Sequence, residues 1–351
     1  MINRNALRIA LTAGLGNAFA SLSKLGDSQY VALAVLSVSS GTYGTSIELG
    51  RQRLLGTVLG SLLLLVGYRG LTSLPMPLAL AITLGCLRLL GGALGLKVGY
   101  KVGGIIVVMG WLVHQGDLAS WIPLRFFWTA FGVMISLLSL RLLWPARSLD
   151  IGLGMYADLL GQLQSCYREL AARVDPNSAE AAPPMAAMAS HRALRNRLQL
   201  IRQQRPSQLA ELGAWPERHP SQQLLRVLEA TASRLITMVV GMVREAPSRR
   251  DSQLVQRLHQ SEAELLHAMA IQLGRWEHQI RNRRGLPQPP ADGLQLPRDW
   301  QQIIYELSDP TANTASLERL EHIAARLLLC RQAEQAIRDG EANWSAIVQA
   351  T

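Results

Sequence analysis

The N-terminal part of the chain carries charged side chains inside apolar segments, where charge is costly. Arg88 lies deep in one apolar stretch, and Lys97 and Lys101 stand one turn apart at the start of the next. A lone arginine or lysine at the middle of a membrane span costs about 2.5 to 3.5 kcal/mol on insertion scales. Cations outnumber anions here and cannot all be neutralised, so the pattern favours a pathway for organic or inorganic anions.

The predicted substrate-binding residues combine these cations with hydroxyl groups from a polar run near residues 37–46. They are Arg51, Arg53, Arg88, Lys101, Ser40 and Thr42. The alternatives are membrane anchoring for the cations and bonding between helices for the hydroxyls. Glu48 and His114 are the predicted proton-relay groups, with a solvated imidazole as the alternative for His114.

Glycines recur at four-residue spacing in the same part of the chain. Such spacing lets helices approach closely and also loosens them. We therefore predict a role in helix packing or hinge motion for Gly56, Gly60, Gly91, Gly95, Gly99 and Gly103.

Charge is divided unevenly along the 351 residues, whose formal net charge is +10. Residues 1–148 hold twelve basic and three acidic side chains, and the remainder holds 23 and 22. Because the basic excess lies in the most hydrophobic part, it indicates a lipid bilayer as partner and not a nucleic acid.

The sequence predicts an all-α fold: a polytopic membrane protein with six transmembrane helices followed by a cytoplasmic helical bundle. A helix that crosses the bilayer needs about 20 apolar residues. Lysines and arginines near the span ends predict that both termini face the cytoplasm. The membrane expected is the cell inner membrane. A cleavable signal peptide ending near Ala18-Phe19-Ala20 is the alternative for the first span. The six predicted stretches are 7–23, 29–48, 53–71, 76–95, 98–115 and 125–144.

The domain boundary falls after residue 148, and residues 149–351 read as a soluble helical domain. Charges of both signs alternate there with apolar residues three or four apart, which is typical of amphipathic helices. Linkers rich in proline and polar residues are predicted near 175–186 and 285–297. An arginine run at 281–284 reads as a solvated helix end, with lipid headgroups or RNA as the alternative ligand.

Enzyme motifs and metal-binding patterns do not occur in the sequence. There is no phosphate-binding glycine loop, no His-Glu-x-x-His and no Gly-x-Ser-x-Gly. Three widely spaced cysteines form no zinc pattern. We expect no enzymatic activity, no cofactor and no metal.

Two segments resemble a known membrane family. Arg51-Gln52-Arg53-Leu54-Leu55-Gly56-Thr57-Val58-Leu59-Gly60 resembles the Arg-x-x-Gly-Thr-x-x-Gly signature of the fusaric acid resistance (aromatic acid exporter, FUSC-like) family. Arg125, Gly132 and the closing Leu143-Trp144-Pro145 resemble that family's sixth span and exit. The resemblance covers most of residues 1–148.

The resemblance implies export of aromatic or other organic acid anions driven by the proton-motive force, sometimes with a periplasmic adaptor protein. Many exporters of that family contain two membrane halves, whereas this sequence has one, so a homodimer is expected. Two alternatives remain at this point. One is a passive anion channel, since aluminium-activated malate channels are more distantly similar, and the other is a membrane-anchored scaffold whose helical domain recruits a partner.

Overall fold

The computed structural model describes residues 4–39, 41–143, 147–175, 184–245, 247, 253–283, 285–308 and 317–351. Within these ranges the regular structure is helical and contains no strand, which confirms the all-α prediction. The chain forms two compact units. The first comprises Met1–Ser148 and Pro206–Gly213, and the second comprises Leu149–Arg205 and Ala214–Thr351.

Six helices make up most of the first unit. In chain order they are α1 Arg4–Leu22, α2 Gln29–Val38, α3 Tyr43–Gly70, α4 Met76–Ala93, α5 Gly99–Leu112 and α6 Leu118–Leu142. Among the described helices, three are long and apolar enough to cross a membrane, namely α3, α4 and α6. Helices α2 and α5 are also apolar but have only 10 and 14 residues.

The predicted second span at 29–48 is not one continuous helix, because α2 ends at Val38. Gly41 has φ +103°, a value that breaks the helix and that glycine tolerates. Thr42 then caps the next helix, and its Oγ1 accepts a hydrogen bond from the Thr45 backbone N–H at 3.3 Å. As a result α3 begins at Tyr43, about ten residues before the predicted third span.

Helices α3 and α5 pack with their backbones in direct contact at four glycines. A Cβ atom on Gly56 would lie 2.0 Å from the carbonyl oxygen of Gly99, and one on Gly60 would lie 2.5 Å from the Cα of Gly103. These distances leave no room for a methyl group on either side. Gly95 is different, since it ends the turn after α4 with φ +69° and has open space around its Cβ position.

A short segment from the later part of the sequence completes the first unit. It lies in α9, Arg205–Glu211, and meets the start of α3. The Thr45 hydroxyl donates to the Ser207 hydroxyl at 3.0 Å, and the Ser148 N–H donates to Glu211 Oε2 at 2.6 Å. Gly44 lies so close to Ser207 that a Cβ there would meet its carbonyl oxygen at 1.9 Å.

The second unit is a helical bundle with an aromatic centre. Trp276 and Trp344 are fully buried and meet edge to face, with ring centroids 5.5 Å apart. The Trp344 indole N–H donates to the Pro287 carbonyl at 2.8 Å, which fastens the non-helical segment 285–297 to the core. Its principal helices are α7 Ser148–Val174, α8 Pro184–Gln203, α10 Pro220–Arg244, α11 Gln253–Arg281, α12 Trp300–Ser308 and α13 Leu317–Gln349.

An ion pair lies inside this apolar core. Arg326 Nε donates to Glu262 Oε1 at 2.6 Å, and both side chains are at most 6% exposed. Arg326 also donates to the Met242 carbonyl at 3.1 Å and to the Glu245 carbonyl. Burial raises the pKa of Glu262, although Arg326 opposes that effect. Desolvation of two charges is costly, so this pair persists because each partner compensates the other.

The glycine contact between α3 and α5 predicts opposite outcomes for two Gly→Ala substitutions. Alanine normally stabilises a helix interior by about 1 kcal/mol relative to glycine. We expect Gly56→Ala to destabilise the protein instead, by roughly 1–3 kcal/mol, since overpacking against the Gly99 backbone outweighs the propensity gain. Thermal unfolding of the full chain in detergent measures the difference. Gly85→Ala in α4 is the control, because nothing lies within 4 Å of its Cβ position, and equal melting temperatures for both variants would contradict the prediction.

The buried ion pair predicts that an Arg→Gln substitution lowers the free energy of unfolding more in the core than at the surface. Arg326→Gln leaves Glu262 buried without its cation, which costs about 3–5 kcal/mol in free energy of unfolding. Arg234→Gln removes the exposed partner of Asp339, 3.3 Å away, and costs about 1 kcal/mol or less. The penalty of Arg326→Gln shrinks as pH falls, because a protonated Glu262 no longer needs a cation. Denaturation of both variants at pH 5 and pH 8 measures these differences in stability. A penalty of Arg326→Gln that did not depend on pH would contradict the role given to Glu262.

Candidate functional site

Hydroxyl groups join α2 to α6 where α2 ends. Ser39 and Ser136 are both buried, and their hydroxyl oxygens lie 2.8 Å apart in a hydrogen bond. Thr129, two turns earlier on α6, is also buried. The polar run that the sequence predicted as a solute path therefore makes at least one bond between helices. Ser40, one of the predicted binding residues, lies outside the described residues.

Arg53 is partly buried in the first unit, on an α3 helix that starts earlier than the sequence indicated. Ten residues of helix separate it from Tyr43, a distance of about 15 Å. Its Nη1 donates a hydrogen bond to the Ser37 hydroxyl of α2. Its Nε is buried without a hydrogen-bond partner.

Arg125 is a second interior arginine, on α6. The side chain is only 4% exposed, and its guanidinium carbon lies 4.0 Å from the centroid of the Tyr30 ring and 5.3 Å from that of Trp121. Its Nε and Nη1 are buried without hydrogen-bond partners. The position therefore provides a buried cation with unused donors.

The electrostatics of this arginine pair favour an anion. Arg125 acts unfavourably on the charge of Arg53, whereas the Tyr30 hydroxyl and Asp27 act favourably on Arg125. Neither arginine forms an ion pair within the described residues. A desolvated cation–π contact returns about 2 kcal/mol, against several kcal/mol for burying each charge. Aromatic rings therefore offset only part of the cost. An anion between the two guanidiniums would supply the rest and use the free donors.

Four other predicted binding residues lie elsewhere in the first unit. Arg51, Arg88 and Lys101 are exposed. The Arg88 guanidinium stacks on the Tyr100 ring of α5, 4.3 Å from its centroid. Thr42 caps α3, and its hydroxyl also accepts a hydrogen bond from Ser148 at 2.9 Å. Arg53 is therefore more buried than the other three predicted cations, which do not join it.

The predicted relay groups are not joined to each other. Glu48 is half-buried in the second turn of α3, and His114 follows α5, where its ring stacks on Trp121 with centroids 4.3 Å apart. No hydrogen bond or ion pair between the two is present in the described part of the chain. His114 nevertheless shares Trp121 with Arg125, which connects it to the arginine pair through one ring.

Sequence reasoning missed Arg125 as a site residue. The predicted sixth span started at residue 125 and left this arginine at the outer membrane boundary, whereas α6 begins at Leu118. Arg125 therefore lies about two turns inside the helix. The aromatic residues that surround it, Tyr30 and Trp121, were the available signal.

The described residues contain no cluster of three or more histidine, cysteine or acidic side chains that could hold a metal ion. The arginine pair itself offers donors and no ligands for a cation.

The part of the chain that holds these arginines matches a known protein family. Residues 13–139 match the fusaric acid resistance protein-like family. The match confirms the resemblance seen in the sequence and includes both Arg53 and Arg125. A search of curated proteins found no match to the chain. Together with the apolar helices, the family match supports a multi-pass membrane protein.

Proposed function

We propose that the protein is an inner-membrane transporter that exports organic acid anions, aromatic carboxylates among them. One observation carries the proposal: Arg53 and Arg125 come from two different helices and place unpaired guanidinium donors inside the segment that matches the family. A carboxylate between them would neutralise both buried charges. The rings of Tyr30 and Trp121 provide an apolar surface for the body of an aromatic acid.

In this proposal α1 to α6 all cross the membrane, both termini are cytoplasmic, and the second unit is a cytoplasmic bundle. Large apolar side chains on the outside of the first unit support membrane insertion, with Leu15 70%, Leu22 81% and Leu89 75% exposed. Contact of these side chains with lipid chains carries no free-energy penalty, whereas their exposure to water is unfavourable. Helices α2 and α5 are shorter than the hydrocarbon core, and the non-helical segments next to them complete their crossings.

Coupling to the proton-motive force, a homodimeric assembly and a periplasmic adaptor are further parts of the proposal. Glu48 and His114 remain the proposed proton-carrying groups, and His114 has the better position because its ring lies against Trp121 beside Arg125. A homodimer would supply the second membrane half. Particle mass in mild detergent tests the dimer, and a monomeric mass would exclude it.

The transport proposal predicts that the two interior arginines control flux. We expect Arg53→Gln and Arg125→Gln each to reduce uptake of phthalate into proteoliposomes at least tenfold, because each removes half of the anion's charge partners. Phthalate is a suitable probe, since its two negative charges limit passive diffusion through lipid. Arg88→Gln is the matched control and should keep flux within about twofold, because that arginine is exposed and stacks on Tyr100.

Three results would change the conclusion. Full phthalate flux in both interior variants would exclude the arginine pair as the site. Currents across a planar bilayer that need no proton gradient would show a passive anion channel. Absence of any flux, together with a protein that co-purifies through the second unit, would favour the scaffold function.

A further inference from the structure

A groove of about 1050 Å³ lies within the second unit, between α8 and α10. This volume is at the upper end of the range for sites that bind small molecules. Its floor is apolar and includes Leu198, Ile236 and Leu329. Its walls are polar, with the side chains of Asn196, Gln199, Ser233 and Thr237.

Charge in the groove has one sign. Four arginines line it, Arg192, Arg195 and Arg202 from α8 and Arg244 from α10, and none of the lining residues is acidic. Arg202 is neutralised by Glu229 at 2.7 Å. Within the described residues, the other three arginines form no ion pair and no side-chain hydrogen bond. The groove therefore has three uncompensated cations above an apolar floor.

The cations converge in space as well as in sequence. Arg192, Arg195 and Gln199 follow each other at helical spacing on α8, so they share one side of that helix. His191 lies near both Arg195 of the same helix and Arg244 of α10, and partial desolvation, followed by these two charges, lowers its pKa. Like charges brought together on two helices destabilise the free protein slightly. A bound anion would reverse that effect.

We propose that this groove binds an amphipathic organic anion, with its negative group on Arg192, Arg195 and Arg244 and its apolar body on Leu198, Ile236 and Val240. The combination of cations and apolar floor decides the ligand class. Inorganic phosphate would use the arginines but leave the floor empty, and a neutral hydrocarbon would use the floor but leave the arginines unpaired. The site is separate from the arginine pair of the first unit, and it does not depend on the transport proposal.

Calorimetry on the full-length chain in phosphatidylcholine nanodiscs tests the site, with 1-naphthoate as the probe. The titrations use the wild-type chain and the Arg53→Gln/Arg125→Gln chain, so that heat from the first unit is identified separately. In both backgrounds, Arg192→Gln/Arg195→Gln/Arg244→Gln should weaken naphthoate binding to the groove at least tenfold. Arg331→Gln is the matched control for charge, because Arg331 is exposed and lies outside the groove lining; its affinity should stay within about twofold.

A second variant addresses the groove without removing any arginine. Val240→Glu puts a carboxylate on the partly exposed floor, where it would pair with the arginines and exclude the ligand. Naphthoate affinity that is unchanged in both Val240→Glu and the triple variant would overturn the proposal. Phosphate or the neutral 1-naphthalenemethanol binding as tightly as naphthoate would overturn the assignment of an amphipathic anion.

Protonation of His191 predicts how binding depends on pH. Partial desolvation, with Arg195 and Arg244, holds its pKa below the ordinary value near 6.5. A bound carboxylate would oppose the two arginines and raise that pKa. Naphthoate, which stays ionised, should therefore bind at least twofold more tightly at pH 5.5 than at pH 7.5. His191→Gln should remove this difference. An equal pH dependence in the wild-type chain and His191→Gln would show that His191 does not contact the bound anion.

Discussion

The architecture of the first unit depends on the contact between the backbones of α3 and α5. Four glycines allow the two helices to touch main chain to main chain, with no side chain between them. That close approach fixes α3 at the centre of the unit, where it also meets α2, α4 and α6. Arg53 is carried on α3 only one turn before Gly56, so its position follows directly from the glycine contact.

Sequence periodicity predicted the helical class and the approximate number of apolar segments, but misplaced the ends that decide the site. The stretch 29–48 is apolar enough for one span, yet Gly41 and the capping Thr42 divide it. This shift lengthens α3 and moves Arg53 inward. The same kind of error left Arg125 at a boundary. Hydropathy averages over about 20 residues and cannot detect a single left-handed glycine or a cap. The residues were recognised as cations, but their depth depended on tertiary packing.

The two units solve the problem of buried charge in opposite ways. In the second unit, Arg326 and Glu262 compensate each other inside the core, and the pair is satisfied without any ligand. In the first unit, Arg53 and Arg125 have aromatic and hydroxyl neighbours but no carboxylate at ion-pair distance. The first arrangement needs no ligand, whereas the second would be stabilised by a bound anion, as the transport proposal requires. The arginine-lined groove of the second unit resembles the second arrangement, although it is open to solvent.

The segment Pro206–Gly213 has a consequence for how the protein is made. Helices α1 to α6 are all synthesised before Ser207, yet Thr45 and Gly44 meet that residue in the finished fold. The first unit therefore cannot reach its final packing from those six helices alone. It must wait until α7 and α8 have been synthesised, since both precede Ser207 in the chain. Maturation of the apolar part is thus timed by translation of the polar part, and a chain cut at residue 148 would leave the start of α3 without its last contacts.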